Sequence, residues 1–447
     1  MNDWFEAELR VERAQQLAEA QRWADALVEL EAALEINPHN AAWHAHHAFL
    51  LEQLGRPADS LRAYEKALEI DPDDSDIRFA MGGALMALGR YARAVEVYTA
   101  LAAEHPNDER VYCHRIAAYA ELGLHDLAEE MFYLAQQIDE DCPHCFFHVG
   151  ASLAARGMTA RAIACWKRVL ELDPEYAGVS ARIGRAYRQQ REFDLAREFY
   201  LAELRCNAGD TDLLFEMAEL AVAAGQPASA RNKLQQIIEL DPEHGGAFFM
   251  LGQICVQNRQ YEKALQCFET AAVLGESPPA LELLRGEAAL HLGRFDEARK
   301  LLEVAVEQTP GEARAHVALG DALLHLERYP QALESFLRAA SIQPATAQIH
   351  YRIAICNIRL GRFEPALRRC VETIRLDPKH IGALQDAAVI NMHLRRWRQA
   401  RMILDRALQV EPKSETLRHL RSRLWLYRIA RLLRIRPAKV APVSSQA

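Results

Sequence analysis

The sequence contains no apolar run that approaches the length of a membrane-spanning helix. Its first residues carry acidic side chains where a secretory signal has a basic and then an apolar segment, and read MNDWFEAELRVERAQQ. Its nine cysteines are an odd number and fall mostly at apolar positions, which is the usage that a reducing compartment tolerates. We therefore expect a cytoplasmic protein without structural disulfides.

Glycine, proline and aromatic residues are all scarce. The 447 residues include 21 glycines and 18 prolines, and 8% are aromatic, against 50% hydrophobic and 26% charged residues. This balance is typical of a helical protein and differs from that of a disordered chain. Because the length exceeds that of one ordinary globular domain, the chain needs either several cores or one extended repeat array.

Acidic residues are missing from the C-terminal end. The segment Thr416–Ala447 contains eight arginines or lysines and no acid, although the whole chain carries a formal charge of −9. The first 415 residues therefore carry −17, and a body with this charge repels nucleic acid and anionic membranes. We expect no nucleic-acid partner, and only the C-terminal segment is suited to an anionic membrane surface.

An internal period of 34 residues organises the chain. Prolines recur at intervals of 34 or 68 residues, at Pro38, Pro72, Pro106, Pro174, Pro242, Pro310, Pro344, Pro378 and Pro412. One equivalent position holds a small residue in every unit: Ala26, Ser60, Ala94, Ala128, Ala162, Ala196, Ala230, Ala264, Ala298, Ala332, Ala366 and Ala400. A second position is small in all units but one, where Ile116 stands. Small residues at two positions let two helices approach closely where they cross.

Each unit reads as a helix, a short turn, a second helix and a proline-led turn. An aromatic residue follows the first turn in most units, for example Trp23, Tyr261 and Trp397. With the small-residue and proline positions, this pattern resembles the tetratricopeptide repeat family, with twelve repeats over residues 7–414. The resemblance implies an all-α α-solenoid, a right-handed superhelix of antiparallel helix pairs, in which the first helix of each pair lines a concave binding surface.

The ends of the array give the remaining domain boundaries. Residues 1–6 are expected to form a lead-in to the first helix, and residues 415–436 a basic helix that caps the apolar face of the last repeat. Residues 437–447 are small, polar and proline-containing, and we expect them to be disordered.

Aromatic residues recur on the expected concave face. Phe79, Phe147, Phe215 and Phe249 share one position in four units, and Tyr351 joins them. Regular rings of this kind suit an apolar or helical peptide, and the alternative is that they pack against the neighbouring unit.

Cationic residues also recur on this face. Arg182, Arg185 and Arg188 form a strip that suits an acidic peptide, although Glu216 and Glu219 in the next unit favour ion pairs between repeats instead. A further row near the ends of four successive first helices suits an anionic partner or simply complements the helix dipole, and consists of His291, His325, Arg359 and His393.

The junction between the fourth and fifth units is rich in cysteine and histidine. Cys142-Pro-His-Cys145 resembles the motif of thiol-disulfide oxidoreductases, but it lies between two helical repeats instead of following a strand. The soft and imidazole ligands His114, Cys142, His144, Cys145 and His148, with Cys113 nearby in sequence, suit zinc. The alternative is ordinary packing, with Pro143 at the first helical position.

The capping helix carries more apolar surface than a cap needs. Arg421, Trp425, Arg428 and Arg431 form a basic face that suits an anionic membrane or an acidic partner. The alternative is that the helix only caps the array and its arginines meet the acidic body.

The sequence lacks a glycine-rich phosphate loop, a Ser-His-Asp order and paired catalytic carboxylates outside the repeats. We therefore predict no enzyme and no cofactor, but a scaffold that binds protein or peptide partners in its groove. The alternatives are a peripheral membrane assembly factor anchored by the C-terminal helix, and a zinc- or thiol-dependent protein centred on Cys142–His148.

Overall fold

The computed structural model describes residues 2–432 and the side chains of residues 4–426. All regular secondary structure in this range is α-helical. Contacts divide the chain into two compact units, Met1–Leu220 and Ala221–Ala447. The helices that begin in the first unit are α1 Asn2–Glu19, α2 Trp23–Ile36, α3 Ala41–Gln53, α4 Pro57–Ile70, α5 Ser75–Ala87, α6 Tyr91–Glu104, α7 Glu109–Glu121, α8 His125–Ile138, α9 Pro143–Ala155, α10 Thr159–Leu172, α11 Val179–Gln189, α12 Phe193–Cys206 and α13 Thr211–Ala223.

The helices of the second unit continue the same alternation. They are α14 Pro227–Leu240, α15 Gly245–Gln257, α16 Tyr261–Val273, α17 Leu281–His291, α18 Phe295–Gln308, α19 Ala313–His325, α20 Tyr329–Ile342, α21 Ala347–Arg359, α22 Phe363–Leu376, α23 Ile381–His393, α24 Trp397–Val410 and α25 Glu415–Leu432. Odd-numbered helices up to α23 are the first helices of the repeats, and even-numbered helices are the second. The prediction of an all-α solenoid of antiparallel helix pairs is confirmed.

A polar residue begins many of the first helices. The side chains of Asn40, Asp74, Asp108 and Asp210 each accept a hydrogen bond from a backbone N–H of the first turn. These residues are separated by 34 residues or multiples of 34, so the repeat carries its own helix start signal. Cys142 occupies this position before α9.

One residue in the left-handed conformation ends the first helix of every repeat. Seven of these twelve residues are glycines, from Gly55 (φ 70°) to Gly361 (φ 72°). The other five are Gln21, Arg191, Arg259, Glu327 and Arg395, with φ between 57° and 63°. This conformation lets the next backbone N–H bond back across the turn, as Arg22 N–H does to Leu17 O at 2.9 Å, and the chain reverses into the second helix.

The predicted small positions lie where the two helices of a repeat touch. All twelve residues of the row from Ala26 to Ala400 are 0% exposed. At the other position, a Cβ added to Gly82 would lie 2.5 Å from Cζ of Tyr98, and one added to Gly252 would lie 2.5 Å from Cε1 of Phe268. In these two repeats a ring of the second helix therefore occupies the space that glycine leaves in the first helix. Ile116, the one large residue of this row, is also fully buried.

The helices at the two ends of the array are α1 and α25. Helix α1 begins at Asn2, so the described part of the predicted lead-in, residues 2–6, is already helical. Residues 2–6 contain no helix breaker, and Glu6 pairs with Arg10 one turn later at 3.0 Å. At the other end, α25 begins at Glu415. The predicted disordered tail, residues 437–447, and the last residues of the predicted cap lie outside the described residues.

Helix α25 covers the last repeat. Leu417, Leu420 and Leu424 are 0%, 7% and 3% exposed and belong to one apolar cluster with Leu384 and Leu404 of the twelfth repeat. These leucines are spaced by three and four residues, so they share one face of the helix. The apolar side of the final helix pair is therefore buried by the chain itself.

Candidate functional site

The predicted groove phenylalanines are half-buried and contact residues of their own or the next repeat. The Phe79 ring centroid lies 5.5 Å from that of Tyr98 and 4.9 Å from that of His114. Phe147 lies 5.3 Å from Tyr176 in the same way. The contact of Phe79 with His114 joins two repeats, whereas those with Tyr98 and Tyr176 lie within one, and partner binding by the exposed edges of the rings stays a prediction.

The other two groove phenylalanines are also half-buried. Phe249 packs at 5.8 Å against Phe268, the ring that fills the space above Gly252. Phe215 lies in the first turns of α13, between the buried residues Leu214 and Met217. The Phe249 ring therefore takes part in the packing of its own repeat, and partner binding by the two rings stays a prediction.

The arginine strip of α11 is engaged with the next repeat. Arg185 Nη2 lies 2.7 Å from Glu216 Oε1, and Arg188 Nη2 lies 2.8 Å from Glu219 Oε2. The guanidinium of Arg182 lies over the Phe147 ring, 4.7 Å from its centroid. The ion pairs join residues that are 31 positions apart, so neighbouring first helices meet with an offset of about one turn from exact equivalence.

The row of cationic residues in the second unit forms a ladder of stacked rings, which we call the ring ladder. His291 stacks on Tyr261 with centroids 4.2 Å apart and planes at 13°, and His325 stacks on Phe295 at 4.3 Å and 4°. The two further rungs are His393 on Phe363 at 5.2 Å and the guanidinium of Arg359 over Tyr329 at 6.0 Å. Each rung joins the aromatic residue that begins a second helix to the end of the next first helix.

A cleft of about 910 Å³ opens along the first helices of the second unit, and we call it the α17–α21 cleft. Its lining includes His291, His325 and Tyr351 from the predicted groove residues, with apolar side chains between them such as Val317 and Ile355. Of the predicted residues of this unit, Phe249, Arg359 and His393 do not line it. The sequence therefore identified three of the residues that the fold brings together here.

Four charged groups in the walls of the α17–α21 cleft form two ion pairs. Arg314 binds Glu287 through two nitrogens: Nε lies 2.6 Å from Oε1 and Nη2 lies 2.6 Å from Oε2. Arg352 Nε lies 2.6 Å from Asp321 Oδ1. Burial raises the pKa of Asp321 to about 6, although Arg352 acts in the opposite direction. Paired charges expose little net charge to a ligand, so the apolar side chains dominate the surface of the cleft.

Tyr351 is held by an acid from the next repeat. Its hydroxyl donates a hydrogen bond to Asp386 Oδ2 at 3.0 Å, and burial raises the pKa of this carboxyl. The ring also lies 4.5 Å from that of His380, which lines the same cleft. The repeat spacing marks Asp386 as the equivalent of Arg352 in the next unit, but Arg352 pairs with Asp321, and the Tyr351 hydroxyl reaches Asp386.

Three cysteines meet at the junction of the fourth and fifth repeats. Cys113 Sγ lies 3.3 Å from Cys142 Sγ, and the sulfurs of Cys113, Cys142 and Cys145 all lie within 4.8 Å of one another. All three residues are buried. Hydrogen bonds from the thiols of Cys113 and Cys145 hold the pKa of Cys142 well below its usual range. We call this group the three-thiol cluster.

The histidines of this region do not join the three-thiol cluster. His114 Nδ1 lies 2.9 Å from the carbonyl oxygen of Arg110, and His144 Nδ1 lies 2.7 Å from the hydroxyl of Tyr176. Burial lowers the pKa of His148 to about 4, so this imidazole is neutral at physiological pH. Among the described side chains, the potential metal ligands that come together are therefore Cys113, Cys142 and Cys145. The predicted set included both Cys142 and Cys145, but it had three histidines in place of Cys113.

The basic face of α25 is exposed where it is described. Trp425 is 61% exposed and Leu426 is 57% exposed, while Arg421 lies 3.5 Å from Asp405 of the last repeat. The side chains of Arg428 and Arg431 lie outside the described ones. None of the described helices is both long enough and apolar enough to cross a membrane.

Comparison with known proteins gives several partial matches. Curated relatives include the TPR repeat-containing protein YpiA of Bacillus subtilis, 27% identical over 44% of this chain and 47% of that protein. Another is anaphase-promoting complex subunit 3 of Schizosaccharomyces pombe, 21% identical over 35% of this chain and 24% of that protein. The matched region thus spans less than half the length of these relatives. Among solved structures, the Cut9–Hcn1 hetero-tetramer matches with a TM-score of 0.41 and 14% identity, covering 92% of this chain and 95% of that one.

Family models match a larger share of the chain than the two curated relatives do. One model described as a tetratricopeptide repeat matches residues 11–75, 150–211, 215–280, 283–347 and 317–381, and a second with the same description matches residues 51–122. The first model alone accounts for more than half of the chain. With the helix pairs and the buried small residues, these matches show that the chain belongs to the tetratricopeptide repeat family, a protein–protein interaction fold.

Proposed function

We propose that this chain is a scaffold that binds a segment of a partner protein in the α17–α21 cleft. The observation that carries the proposal is the cleft itself, about 910 Å³ in volume and lined by three successive first helices. This volume is at the upper end of the range for ligand pockets, and its lining spans three successive first helices, which favours a peptide over a compact metabolite.

The chemistry of the cleft favours a segment with apolar side chains. Val317 and Ile355 lie between ion pairs whose charges are already matched, so a partner gains most by burying apolar surface against them. An amphipathic helix that presents apolar residues at every third or fourth position fits a groove of this kind. The exposed edges of His291 and His325 offer polar contacts at the rim.

The proposal also holds that the chain acts by binding and not by catalysis. The Asp321 carboxyl is paired with Arg352, and the Asp386 carboxyl accepts a hydrogen bond from Tyr351. Groups held in this way stabilise the walls of the cleft, and we assign them this structural role.

The experiment is a selection from a displayed library of random peptides, with the full chain as bait. We expect enriched peptides with apolar residues at helical spacing, and we expect Ile355→Glu to weaken them by at least about tenfold, ~1.4 kcal/mol. Val304→Glu is the matched control, since Val304 is 42% exposed on α18, outside the cleft.

The two variants separate cleft binding from general stickiness. Equal retention of the selected peptides by Ile355→Glu and the unchanged chain contradicts the proposal. Loss of binding in both glutamate variants contradicts it as well, because the contact is then not specific to the cleft. Circular dichroism of each variant verifies that the helices remain.

The exposure of Trp425 favours a second candidate function, attachment of the C-terminal helix to an anionic membrane. Trp425 lies among arginines with most of its ring in water, an arrangement that suits the interface of a bilayer. Co-sedimentation with phosphatidylserine vesicles tests it. We expect Trp425→Ser to reduce binding, whereas Trp4→Ser, at a tryptophan that is 60% exposed on α1, leaves it unchanged. Equal binding by the two variants rejects this function.

A further inference from the structure

The three-thiol cluster is built from two rigid elements. Cys113 lies on α7, the first helix of the fourth repeat, while Cys142 is the residue before α9 and Cys145 is in its first turn. The three residues are 5%, 5% and 2% exposed. Sulfur atoms held on packed helices keep their mutual distances, which is the condition for a site that binds without large rearrangement.

Two of the cysteines stand where other repeats have a residue with a different role. Cys142 occupies the helix-start position at which Asn40, Asp74 and Asp108 accept backbone hydrogen bonds. Thiols are weak acceptors, so cysteine is a poor choice there for helix stability alone. Cys113 occupies the position that Phe79 fills one repeat earlier. Both replacements bring sulfur to one point.

We propose that Cys113, Cys142 and Cys145 bind one thiophilic d¹⁰ metal ion, Zn²⁺ or Cu⁺, through three thiolates. Soft thiolate ligands select these two ions. Each thiol releases its proton to solvent as it binds, so the ion compensates two of the three negative charges as Zn²⁺ and one as Cu⁺. The proposal is independent of peptide binding, because these residues lie in the first unit and the α17–α21 cleft lies in the second.

The distances suit such an ion after small movements. With metal–sulfur bonds of about 2.3 Å, three sulfurs around one ion lie about 3.8–4.0 Å apart. The Cys113–Cys142 separation of 3.3 Å needs to open by about half an ångström, which a side-chain rotation supplies. The other separations are within the 4.8 Å limit of the cluster and need changes of at most about 1 Å.

The test uses the full chain, prepared without a histidine tag and kept reduced. Zn²⁺ and Cu⁺ are titrated separately in competition with a chromogenic chelator, and Co²⁺ replaces Zn²⁺ to report thiolate coordination by its charge-transfer absorption. We expect one ion per chain for at least one of the two metals. Which metal binds identifies the ion, and binding of neither overturns the proposal.

Substitutions locate the site. Cys142→Ser removes a ligand but keeps a residue that is favoured at a helix start, so this variant folds. We expect it, Cys113→Ala and Cys145→Ala each to weaken binding on the order of 100-fold. The matched control is Cys255→Ala, at a buried cysteine outside the cluster, and we expect it to bind as the unchanged chain does.

The outcomes against the proposal are equally definite. Binding that survives in Cys142→Ser, or that weakens as much in Cys255→Ala, places the metal elsewhere and overturns it. Counting free thiols before the titration establishes that the cysteines are reduced. If all nine thiols are free and neither metal binds, the cluster is a packing arrangement of small apolar residues.

Discussion

The close contact between Gly82 and Tyr98 gives a prediction that two neighbouring glycines can test. Both Gly82 and Gly83 lie inside α5, so alanine at either position improves helix propensity by about 1 kcal/mol. They differ in their surroundings. A Cβ at Gly83 meets no atom within 4 Å, whereas a Cβ at Gly82 would lie 2.5 Å from Cζ and 2.7 Å from Cε1 of Tyr98.

The magnitude follows from these distances. Carbon atoms in favourable contact are about 3.5–4.0 Å apart, so the added methyl overlaps the ring by about 1 Å. The ring is 0% exposed and is also held by Phe79 and His114, so it has little room to move. Overpacking of this kind costs about 1–3 kcal/mol. We therefore expect Gly83→Ala to stabilise the chain by up to about 1 kcal/mol and Gly82→Ala to be about 1–3 kcal/mol less stable than Gly83→Ala.

Urea unfolding followed by circular dichroism measures the difference, and amide hydrogen exchange of α5 and α6 reports it locally. A double-mutant cycle identifies the cause. In the Tyr98→Leu background we expect Gly82→Ala to be neutral or stabilising, because alanine stands opposite leucine in three other repeats, in the pairs Ala14–Leu30, Ala218–Leu234 and Ala388–Leu404. Equal effects of the two alanines, or no change in the leucine background, would refute the reasoning that the ring confines Gly82.

Three further predictions concern single residues. Glu203 accepts hydrogen bonds from the backbone N–H groups of Gly178 at 2.7 Å and Ala181 at 3.2 Å, so Glu203→Ala should lower the free energy of unfolding by about 1–2 kcal/mol, while Glu198→Ala on the exposed side of α12 should not. Folding raises the pKa of Asp321 from 3.8 to about 6, so the folded chain favours the protonated carboxyl. The unchanged chain should therefore lose stability relative to Asp321→Asn as the pH rises from about 4 to about 6, and the difference should stay constant above pH 6. A difference in urea midpoints that is constant from about pH 4 to about pH 6 contradicts this assignment. Glu327→Gly should raise the thermal midpoint, since a left-handed residue with a side chain costs about 1 kcal/mol, and an unchanged or lower midpoint would mean that its side chain contributes elsewhere.

The sequence predicted contacts within a repeat far better than contacts between repeats. The 34-residue period fixes which residues of the two helices of one repeat meet, and the small positions such as Ala26 and Gly82 were found in this way. Contacts between repeats depend on how far one helix is shifted along its neighbour. That shift appears in no spacing of the sequence, so Arg185 pairs with a residue 31 positions later and not 34.

The candidate sites show the same division. His291 and His325 were identified as a row, but their stacking on Tyr261 and Phe295 comes from the offset between repeats. At the cysteine junction, sequence proximity drew attention to His144, whose ring contacts Tyr176 instead of the thiols. The repeat does mark the three-thiol cluster: Cys142 stands at the helix-start position that Asp108 holds one repeat earlier, and Cys113 stands at the position of the groove aromatic residue Phe79.

The ring ladder has a mechanical consequence for repeats eight to twelve. Two flat rings in contact, such as Phe295 and His325 at 4.3 Å, keep most of their contact when they slide in their common plane, but lose it when they are pulled apart. Three such ring pairs, with the guanidinium of Arg359 over Tyr329 as the fourth rung, are therefore expected to resist forces that separate successive repeats more than forces that shear them. A force applied along these helices is therefore expected to slide the stacked rings past one another before it separates the repeats.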